Sequence, residues 1–238
     1  MREPVRIGIY GGCFNPVHCG HLRAAVEAAE GLGLDRVDFV PAARPPHKPD
    51  SPMLDFAARL RLVRAAVADL PGVGVNDLEA GRPGPSYTWD TLVRYREEHP
   101  QADLFFIMGA GDMLQLASWR RGFELPGLAH LAVLCREGLG VAEIGAYLAG
   151  DGAALGAVPG AAPGAGPVAA VWRFPQGTSL YCLHIPRLDI SASLVRERWL
   201  CGRSLRFLAP DAVLQELASM REAAVLAWGL PAAWRDGG

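Results

Sequence analysis

The sequence predicts an α/β fold, doubly wound around a mostly parallel sheet and ending in a C-terminal helical segment. Two observations predict this class. Short apolar runs alternate with helix-length segments, and strands separated by helices pair in parallel through right-handed crossovers. In addition, the first apolar run, at residues 5–10, passes through two glycines into a helical pattern, which is typical of a strand ending at the ligand-binding edge of such a sheet.

The predicted elements follow one another in a regular order. Strands are predicted at residues 5–10, 36–42, 73–77 and 128–137. Residues 102–112 are predicted to be a strand that leaves through glycines into a short helix, and residues 179–191 a strand followed by a loop. Helices are predicted at residues 21–31, 55–70 and 88–98, in a short segment that ends near Trp119, and in most of the chain from Ala192 onward. One face of the second helix is apolar and contains Phe56, Leu60, Val63 and Val67.

Residues 138–178 interrupt this alternation. They contain the stretch GDGAALGAVPGAAPGAGPVAA, which is rich in glycine, alanine and proline and has no usable period. Such a composition is typical of a flexible surface insertion rather than of a linker between domains. The chain is therefore predicted to be a single domain, residues 1–238, that carries this insertion.

Composition excludes several classes of function. Half of the residues are hydrophobic, but no uninterrupted apolar run approaches the length of about 18 residues that spans a membrane. The N-terminus lacks a signal-peptide apolar region, and a net charge of -2 does not suit a nucleic-acid-binding protein. The five cysteines include no C-x-x-C pair, which argues against a disulfide framework or a zinc site and favours a reducing cytoplasm. Cys135 and Cys182 lie in apolar runs and are expected to be small core residues.

The segment GGCFNPVHCGHL, residues 11–22, carries the first functional pattern. Gly11 and Gly12 lack Cβ atoms, so a phosphate can approach their backbone, and a helix beginning near Cys19 presents its positive end. The segment matches neither G-x-G-x-x-G nor a Walker A loop. His18 and His21 lie one helical turn apart and can donate hydrogen bonds to phosphate oxygens. A metal site is an alternative that lacks further ligands at suitable spacing, and helix-capping histidines are another.

The same segment resembles the G-G-[ST]-F-[DN]-P-x-H-x-G-H signature of the HxGH nucleotidyltransferases. The resemblance implies a Rossmann-like nucleotidyltransferase fold and transfer of a nucleotidyl group from a nucleoside triphosphate with release of pyrophosphate. It also implies that ATP is bound by these residues: Gly11, Gly12, Cys13, Phe14, His18 and His21. Cys13 stands where that family carries serine or threonine, so a hydroxyl contact to phosphate is missing while the backbone amide remains.

A second pattern lies near the other end of the chain. ISASLVRER, residues 190–198, resembles the I-S-[STA]-[ST]-x-[IV]-R element of the same family. Ser191 and Ser193 open a helix whose N–H groups can hold the outer phosphates of ATP, and Arg196 adds a forked cation. An ordinary capped amphipathic helix is the alternative for this segment.

Three further stretches resemble the bacterial nicotinate-nucleotide adenylyltransferases, and the likeness covers most of the chain outside residues 138–178. They are RPPHKP (44–49), PSYTWDTL (85–92) and the segment from FFIMGAGD to Trp119 (105–119). Lys48, the only lysine in the chain, follows the second strand and suits reacting phosphates. A solvated lysine is the alternative.

The remaining predicted site residues concern nicotinate mononucleotide and the end of the fourth strand. Backbone amides of Ser86, Tyr87 and Thr88 can bind the nicotinate carboxylate, although Ser86 or Thr88 can also simply cap the helix. Trp119 resembles the tryptophan that stacks on the pyridine ring in that family, with a core tryptophan as the alternative. Gly109 and Asp112 fall in the predicted ATP site. The family aspartate lies two residues beyond the glycine, whereas Asp112 lies three beyond Gly109, so Gly111 is the other candidate for that position.

The resemblance implies that ATP and nicotinate mononucleotide react to give nicotinate adenine dinucleotide and pyrophosphate. His18, His21, Lys48 and Arg196 are the implied catalytic residues, and Mg²⁺ is carried in with ATP, largely water-coordinated. Two alternatives stay open. One is another acceptor within the superfamily, such as phosphopantetheine or a cytidylyl acceptor. The other is a regulatory module that binds ATP without turnover, which only Cys13 and the shifted Asp112 favour. The oligomeric state does not follow from the sequence.

Overall fold

The predicted helices and strands occur along the chain in the expected order, with further elements between residues 141 and 173. The structure is a computed structural model that describes residues 4–46, 52–135, 138–162 and 166–229. The strands are β1 (Arg6–Gly12), β2 (Arg36–Pro41), β3 (Val73–Val75), β4 (Asp103–Gly109), β5 (His130–Cys135), β6 (Val158–Gly160), β7 (Val168–Arg173) and β8 (Ser179–His184). The helices are α1 (Cys19–Leu32), α2 (Phe56–Val67), α3 (Thr88–Glu98), α4 (Ala110–Met113), α5 (Val141–Ala149), α6 (Ala192–Leu200), α7 (Asp211–Ser219) and α8 (Arg221–Trp228). 3₁₀ helices occur at Leu116–Ser118, Gly122–Gly127 and Ala153–Leu155.

The strands form one sheet in the order β3-β2-β1-β4-β5-β8-β7-β6. β1 pairs in parallel with β4, β4 with β5 and β5 with β8, with Tyr10 opposite Ile107 and Val133 opposite Cys182. The chain winds outward from β1 in one direction to β2 and β3, and in the other direction from β4 onward. The predicted doubly wound, mostly parallel sheet and the C-terminal helical segment are both confirmed.

The expectation for residues 138–178 is wrong in one respect, because much of this segment has regular structure. It contains α5 and a 3₁₀ turn, and β6 and β7 extend the sheet in antiparallel pairing beyond β8. The backbone hydrogen bonds of the β8 edge stabilise β7 although its local composition is glycine- and alanine-rich, and Pro159 lies in the outermost strand, where a missing N–H is tolerated.

The chain divides into two compact units. Unit 1 comprises Met1–Gly11, Ala24–Asp38 and Tyr87–Arg187. Its core consists of β-strand residues such as Ile7, Leu104 and Leu131, with Leu92 and Tyr95 of α3 also fully buried.

Unit 2 comprises Gly12–Arg23, Phe39–Ser86 and Leu188–Gly238. In its core, Leu62 and Val63 of α2 are buried together with Val213 of α7, and an ion pair joins Arg61 of α2 to Glu216 of α7. The predicted apolar face of α2 is confirmed for Leu60, Val63 and Val67, while Phe56 is only partly buried.

The cysteine expectations are partly corrected. Cys135 and Cys182 are core residues, 5% and 0% exposed, as the sequence predicts. However, they also form a disulfide, because β5 and β8 are neighbours and bring the two side chains together. Cys13, Cys19 and Cys201 take part in no disulfide. Within the described ranges, the chain has no helix that is both long and apolar enough to cross a membrane.

Candidate active site

The end of β1, where Gly11 and Gly12 lie, is shaped by a close approach of backbone and aromatic ring. The strand continues through Gly11 and Gly12 instead of ending before them. A Cβ on Gly12 would lie 2.9 Å from the Phe14 ring, so only glycine fits there. Phe14 has a φ of 46°, a conformation that costs free energy for a residue with a side chain. Its ring is 2% exposed and packs against Phe39 and His21, with centroids 5.2 and 5.1 Å away.

The two histidines of the motif stack on each other. Their ring centroids are 3.7 Å apart with the planes tilted by 31°, and the His18 side chain is buried. The backbone N–H of His18 donates to Nδ1 of His21 at 3.3 Å. Nδ1 of His21 is therefore an acceptor, and the ring proton of the neutral imidazole lies on Nε2. The geometry leaves His21 with an N–H donor at the far end of its ring.

The glycine between the histidines lets a second segment approach. A Cβ on Gly20 would lie 3.0 Å from Nδ1 of His18 and 3.2 Å from the carbonyl oxygen of Ile190. The 190–198 segment therefore lies directly against the start of α1. The first N–H of α1 is already bound within the protein: the N–H of Cys19 donates to the carbonyl oxygen of Leu208 at 2.8 Å.

The second motif also lies on a helix start, as predicted. Ser191 is the N-cap of α6, and its hydroxyl accepts from the N–H of Leu194 at 3.1 Å. Arg196 donates from Nη2 to the hydroxyl of Ser193 at 3.1 Å and from Nη1 to the backbone carbonyl of Asn15 at 2.7 Å. The guanidinium thus bridges the two motifs. Burial lowers the pKa of Arg196 from its ordinary value, and the neighbouring Cys13 opposes that shift.

Asn15 and Arg59, which were not predicted as site residues, fix residues 12–18, the segment from the end of β1 to α1 that is called the glycine-turn loop below. The side chain of Asn15 donates to the carbonyl of Pro52 at 2.8 Å and accepts from the N–H of Leu54 at 3.1 Å and from the indole of Trp228 at 3.2 Å. Arg59 of α2 is 1% exposed and donates to the carbonyl of Cys13 at 2.8 Å. A charged residue on the buried face of an amphipathic helix was the available sequence signal for Arg59.

Ser86 differs from the expectation. Its N–H donates to the carbonyl of Arg44 at 2.9 Å, and its hydroxyl accepts from the N–H of Arg44 at 2.9 Å. Its amide is therefore engaged by the loop that follows β2. Neither Ser86 nor Thr88 caps α3, because Tyr87 is the N-cap and makes no side-chain cap bond. Lys48 lies outside the described residues.

In unit 1, the predicted residues near β4 cluster at its carboxyl end. β4 ends at Gly109, and Asp112 lies in the single helical turn α4 that follows. An oxygen of the Asp112 carboxylate lies 3.5 Å from the position of a Cβ on Gly109, so the turn brings this carboxylate back over the strand end. Gly111 instead faces Leu139. Of these two residues, Asp112 is the one that lies over the end of β4.

Trp119 follows a 3₁₀ turn and is half-buried, so the core alternative does not describe it. Its ring contacts Phe106 edge to face, with centroids 6.2 Å apart. The next residue, Arg120, places its guanidinium 4.6 Å from the centre of the Tyr87 ring and pairs with Asp90 at 3.1 Å. These contacts connect the Trp119 segment with the start of α3.

The predicted residues therefore fall into two groups. Unit 2 contains the residues that are predicted to bind the phosphates of ATP, namely Gly12, Cys13, Phe14, His18, His21, Ser191, Ser193 and Arg196. Unit 1 contains Gly11, Tyr87, Thr88, Gly109, Asp112 and Trp119. In the part of the chain that the structure describes, no three His, Cys, Asp or Glu side chains form a group that could hold a metal ion.

Comparison with known proteins places this arrangement in a family. Residues 9–198 match the family described as cytidylyltransferase-like. A relative from Geobacter sp. (strain M21) is 41% identical over 221 residues, which cover 91% of this chain and 97% of the relative. A relative from Chromohalobacter salexigens is 40% identical, and the match covers 90% of this chain and 94% of the relative. Both relatives are named "Probable nicotinate-nucleotide adenylyltransferase".

Solved structures show the same fold at low sequence identity. Nicotinic acid mononucleotide adenylyltransferase from Plasmodium falciparum, in complex with APC, superimposes with a TM-score of 0.66 at 16% identity and covers 92% of this chain and 96% of that one. The same protein in complex with NaAD gives a TM-score of 0.65 at 17% identity, and the match covers 93% of this chain and 98% of that one.

Proposed function

Since the chain belongs to the nicotinate-nucleotide adenylyltransferases of the cytidylyltransferase-like family, we propose that His18, His21 and Arg196 hold ATP during adenylyl transfer. The enzyme is a nucleotidyltransferase of NAD biosynthesis. It transfers the adenylyl group of ATP to nicotinate mononucleotide and gives nicotinate adenine dinucleotide, or deamido-NAD, and pyrophosphate.

One observation carries the assignment of roles: Arg196 bridges the two motifs, and the first motif carries the stacked histidines, His18 just before α1 and His21 in its first turn. Arg196 is hydrogen-bonded to the backbone of Asn15, and the orientation of His21 leaves a proton on Nε2. Forked cations and imidazole N–H groups are donors that suit phosphate oxygens. Gly12, Cys13 and Phe14 contribute the backbone of the turn.

The chemistry needs little from the protein besides position and charge. The 5′-phosphate of nicotinate mononucleotide is already a nucleophilic anion at neutral pH, so no general base is required. It attacks the α-phosphorus of ATP in line, without a covalent intermediate, and the bond to the bridging oxygen of pyrophosphate breaks. His18 and His21 stabilise the negative charge that develops on the phosphate oxygens, while Arg196, Ser193 and Ser191 hold the departing pyrophosphate.

Mg²⁺ enters as part of the MgATP substrate. This ion keeps much of its hydration and needs few protein carboxylates. The donor set of the described residues suits that form, because the ATP motifs supply hydroxyl, imidazole and guanidinium groups instead of a carboxylate cage. Asp112, at the end of β4, is the acidic residue that we assign to the ATP side together with Gly109 and Gly11.

Nicotinate mononucleotide is assigned to a second set of residues. The amides of Tyr87 and Thr88 at the start of α3 bind the nicotinate carboxylate, and Trp119 stacks on the pyridine ring. Ser86 acts indirectly, because its amide and hydroxyl bind Arg44 and thereby fix the turn. Lys48 serves the approaching phosphate. We assign the reaction to the cytoplasm, with ATP and nicotinate mononucleotide as the only partners and with neither nucleic acid nor membrane involved.

Pyrophosphate release tests this function directly. The protein is incubated with ATP and Mg²⁺ and with nicotinate mononucleotide, nicotinamide mononucleotide or phosphopantetheine as acceptor. We expect release with the nicotinate form to exceed the others strongly and to be lost in His18→Ala. Release with phosphopantetheine alone would keep the superfamily and overturn the acceptor. ATP binding without release from any acceptor would favour the regulatory module.

A further inference from the structure

Arg59 is the largest fully buried side chain in the described part of the molecule. It belongs to α2, and all three of its nitrogen atoms donate to backbone carbonyls. Nη1 donates to Cys13 at 2.8 Å, Nε to Leu54 at 3.0 Å and Nη2 to Ala43 at 3.4 Å. The carbonyl of Cys13 belongs to the glycine-turn loop, that of Leu54 to the residues just before α2, and that of Ala43 to the loop after β2.

This arrangement is energetically expensive, which calls for a reason. Burying a cation carries a desolvation cost that hydrogen bonds to neutral carbonyls offset only in part. Burial accordingly lowers the pKa of Arg59, and the fields of Cys13, Asp55 and Glu79 oppose that shift. An aliphatic residue at position 59 would match the neighbouring Leu62 and Val63 and avoid this cost.

The contact with Cys13 fixes the orientation of one peptide plane in the glycine-turn loop. The peptide between Cys13 and Phe14 is trans, so its C=O and N–H point in opposite directions. Because Arg59 holds the carbonyl towards the interior, the N–H of Phe14 points away from the buried guanidinium. That is the geometry in which backbone groups of a loop can face an anion.

The strained residue lies between two such contacts. Phe14, with its φ of 46°, is preceded by the carbonyl that Arg59 binds and followed by the Asn15 carbonyl that Arg196 binds at 2.7 Å. A conformation of this kind persists only where the surroundings hold it in place. Arg59 provides one of the two restraints, and it does so from within the core.

The contact with Ala43 is weaker and is shared with another buried charge. Glu79 is 5% exposed and accepts from the N–H of Ala43 at 3.1 Å. Arg59 donates to the carbonyl of the same residue at 3.4 Å, against 2.8 Å for Cys13. The loop after β2 therefore depends less on Arg59 than the glycine-turn loop does.

We propose that Arg59 is a positioning residue for ATP: it fixes the Cys13 carbonyl and thereby sets the glycine-turn loop in the shape that receives the phosphates. The inference rests on the proposed function, since it takes this loop to bind ATP. It adds a residue outside both sequence motifs. Because Cys13 is the closest contact, removal of the guanidinium affects ATP binding more than binding of nicotinate mononucleotide.

The test compares Arg59→Lys with Arg61→Lys. Arg61 lies on the same helix but is 55% exposed at its side chain, where it pairs with Glu216. For both variants and the wild type, the dissociation constants of MgATP and of nicotinate mononucleotide are measured by calorimetry, together with the thermal unfolding midpoint. Lysine keeps the charge and loses the fork, so we expect Arg59→Lys to bind MgATP about tenfold more weakly. Its affinity for nicotinate mononucleotide should change less than twofold, and Arg61→Lys should match the wild type in both.

A second variant keeps the test decisive if Arg59→Lys folds poorly. In Arg59→Ala, added ethylguanidinium should restore part of the MgATP affinity, whereas ethylammonium should not. Equal losses of affinity for both substrates, or MgATP binding like that of Arg61→Lys, would overturn the inference while the wild type stays active. A wild type that binds no MgATP would contradict the proposed function instead.

Discussion

His21 owes its donor to a single hydrogen bond. Because the backbone N–H of His18 occupies Nδ1, the ring proton lies on Nε2. His21→Asn keeps an acceptor near the Nδ1 position and removes the Nε2 donor. We expect kcat to fall about 10²- to 10³-fold in this variant, the usual cost of losing one donor to developing charge.

His21→Gln is the matched control for that substitution, because its longer amide restores a donor near the Nε2 position. Steady-state kinetics and the thermal midpoint are measured for both variants. We expect His21→Gln to retain more activity than His21→Asn at similar stability. Equal losses in the two variants would show that the donor is not what matters.

Trp119 is partly exposed and held edge to face against Phe106. If it stacks on the pyridine ring, Trp119→Ala should raise KM for nicotinate mononucleotide about 10-fold or more, since stacking of a base on an aromatic side chain is worth about 1–3 kcal/mol. KM for ATP should stay within about twofold, and Trp119→Phe should recover most of the effect. A rise in both KM values would point to a folding defect instead.

Among single residues, the placement of the contiguous motifs at the end of a strand and the start of a helix could be predicted, whereas contacts between distant segments could not. His18, His21, Ser191 and Arg196 stand at spacings that carry their chemistry. The charge of Arg59 on the apolar face of α2 is visible in the sequence, but its hydrogen bond to the carbonyl of Cys13 arises only from tertiary packing. Ser86 was expected to use its amide for substrate, but the loop carrying Arg44 occupies it.

At the scale of elements, α5 has a structural task that its glycine-rich surroundings conceal. The hydroxyl of Tyr147 accepts from the N–H of Ala117 at 3.2 Å, in the turn that leads to Trp119. Burial raises the pKa of this hydroxyl, which stays neutral at physiological pH. The part of the chain predicted to be a flexible insertion thus anchors a predicted substrate-binding residue.

Tyr147→Phe tests this anchor, because it removes the hydroxyl and keeps the ring that packs against Gly152. We expect the free energy of unfolding, measured with urea, to fall by about 1 kcal/mol. KM for nicotinate mononucleotide should rise while KM for ATP does not. An unchanged KM for nicotinate mononucleotide would contradict the claim that Tyr147 of α5 positions the Trp119 segment for substrate binding.

The start of β5 makes the stability of the sheet sensitive to pH. Nδ1 of His130 accepts from the N–H of Ser179 at 2.9 Å, and its ring stacks on Phe105. Burial lowers the pKa of His130 below its ordinary value of 6.5, Asp103 opposes that shift, and Arg6 and Arg96 add to it. Between the lowered value and 6.5 the unfolded chain binds more protons than the folded one, so stability is full above 6.5 and is lost as pH falls.

Urea unfolding at pH 7.5 and 5.5 measures this dependence. His130→Asn keeps an acceptor for Ser179 but does not titrate, so the loss of stability between the two pH values should be smaller than in the wild type. His184→Asn, at an exposed position of β8, is the control and should behave like the wild type. If His130→Asn and His184→Asn lost the same amount of stability between pH 7.5 and 5.5, groups other than His130 would determine the pH dependence.

The order of elements was predictable because periodicity and turn residues are local signals. β6 and β7 were missed because pairing with a neighbouring strand, β7 with β8 and β6 with β7, stabilises them more than their own composition does. The disulfide between Cys135 and Cys182 likewise forms because β5 and β8 are neighbours in the sheet. The two cysteines are 47 residues apart in the sequence, and this spacing does not reveal that the strands pair.

For the whole molecule, the central claim is that one phosphate oxygen of nicotinate mononucleotide replaces pyrophosphate at the α-phosphorus of ATP. A single turnover with nicotinate mononucleotide whose phosphate carries oxygen-18, analysed by mass spectrometry, tests it most directly. We expect all of the label in nicotinate adenine dinucleotide and none in pyrophosphate, because the bond that breaks lies within ATP. Release of AMP, with the label in a pyrophosphorylated mononucleotide, or label in pyrophosphate, would contradict the account.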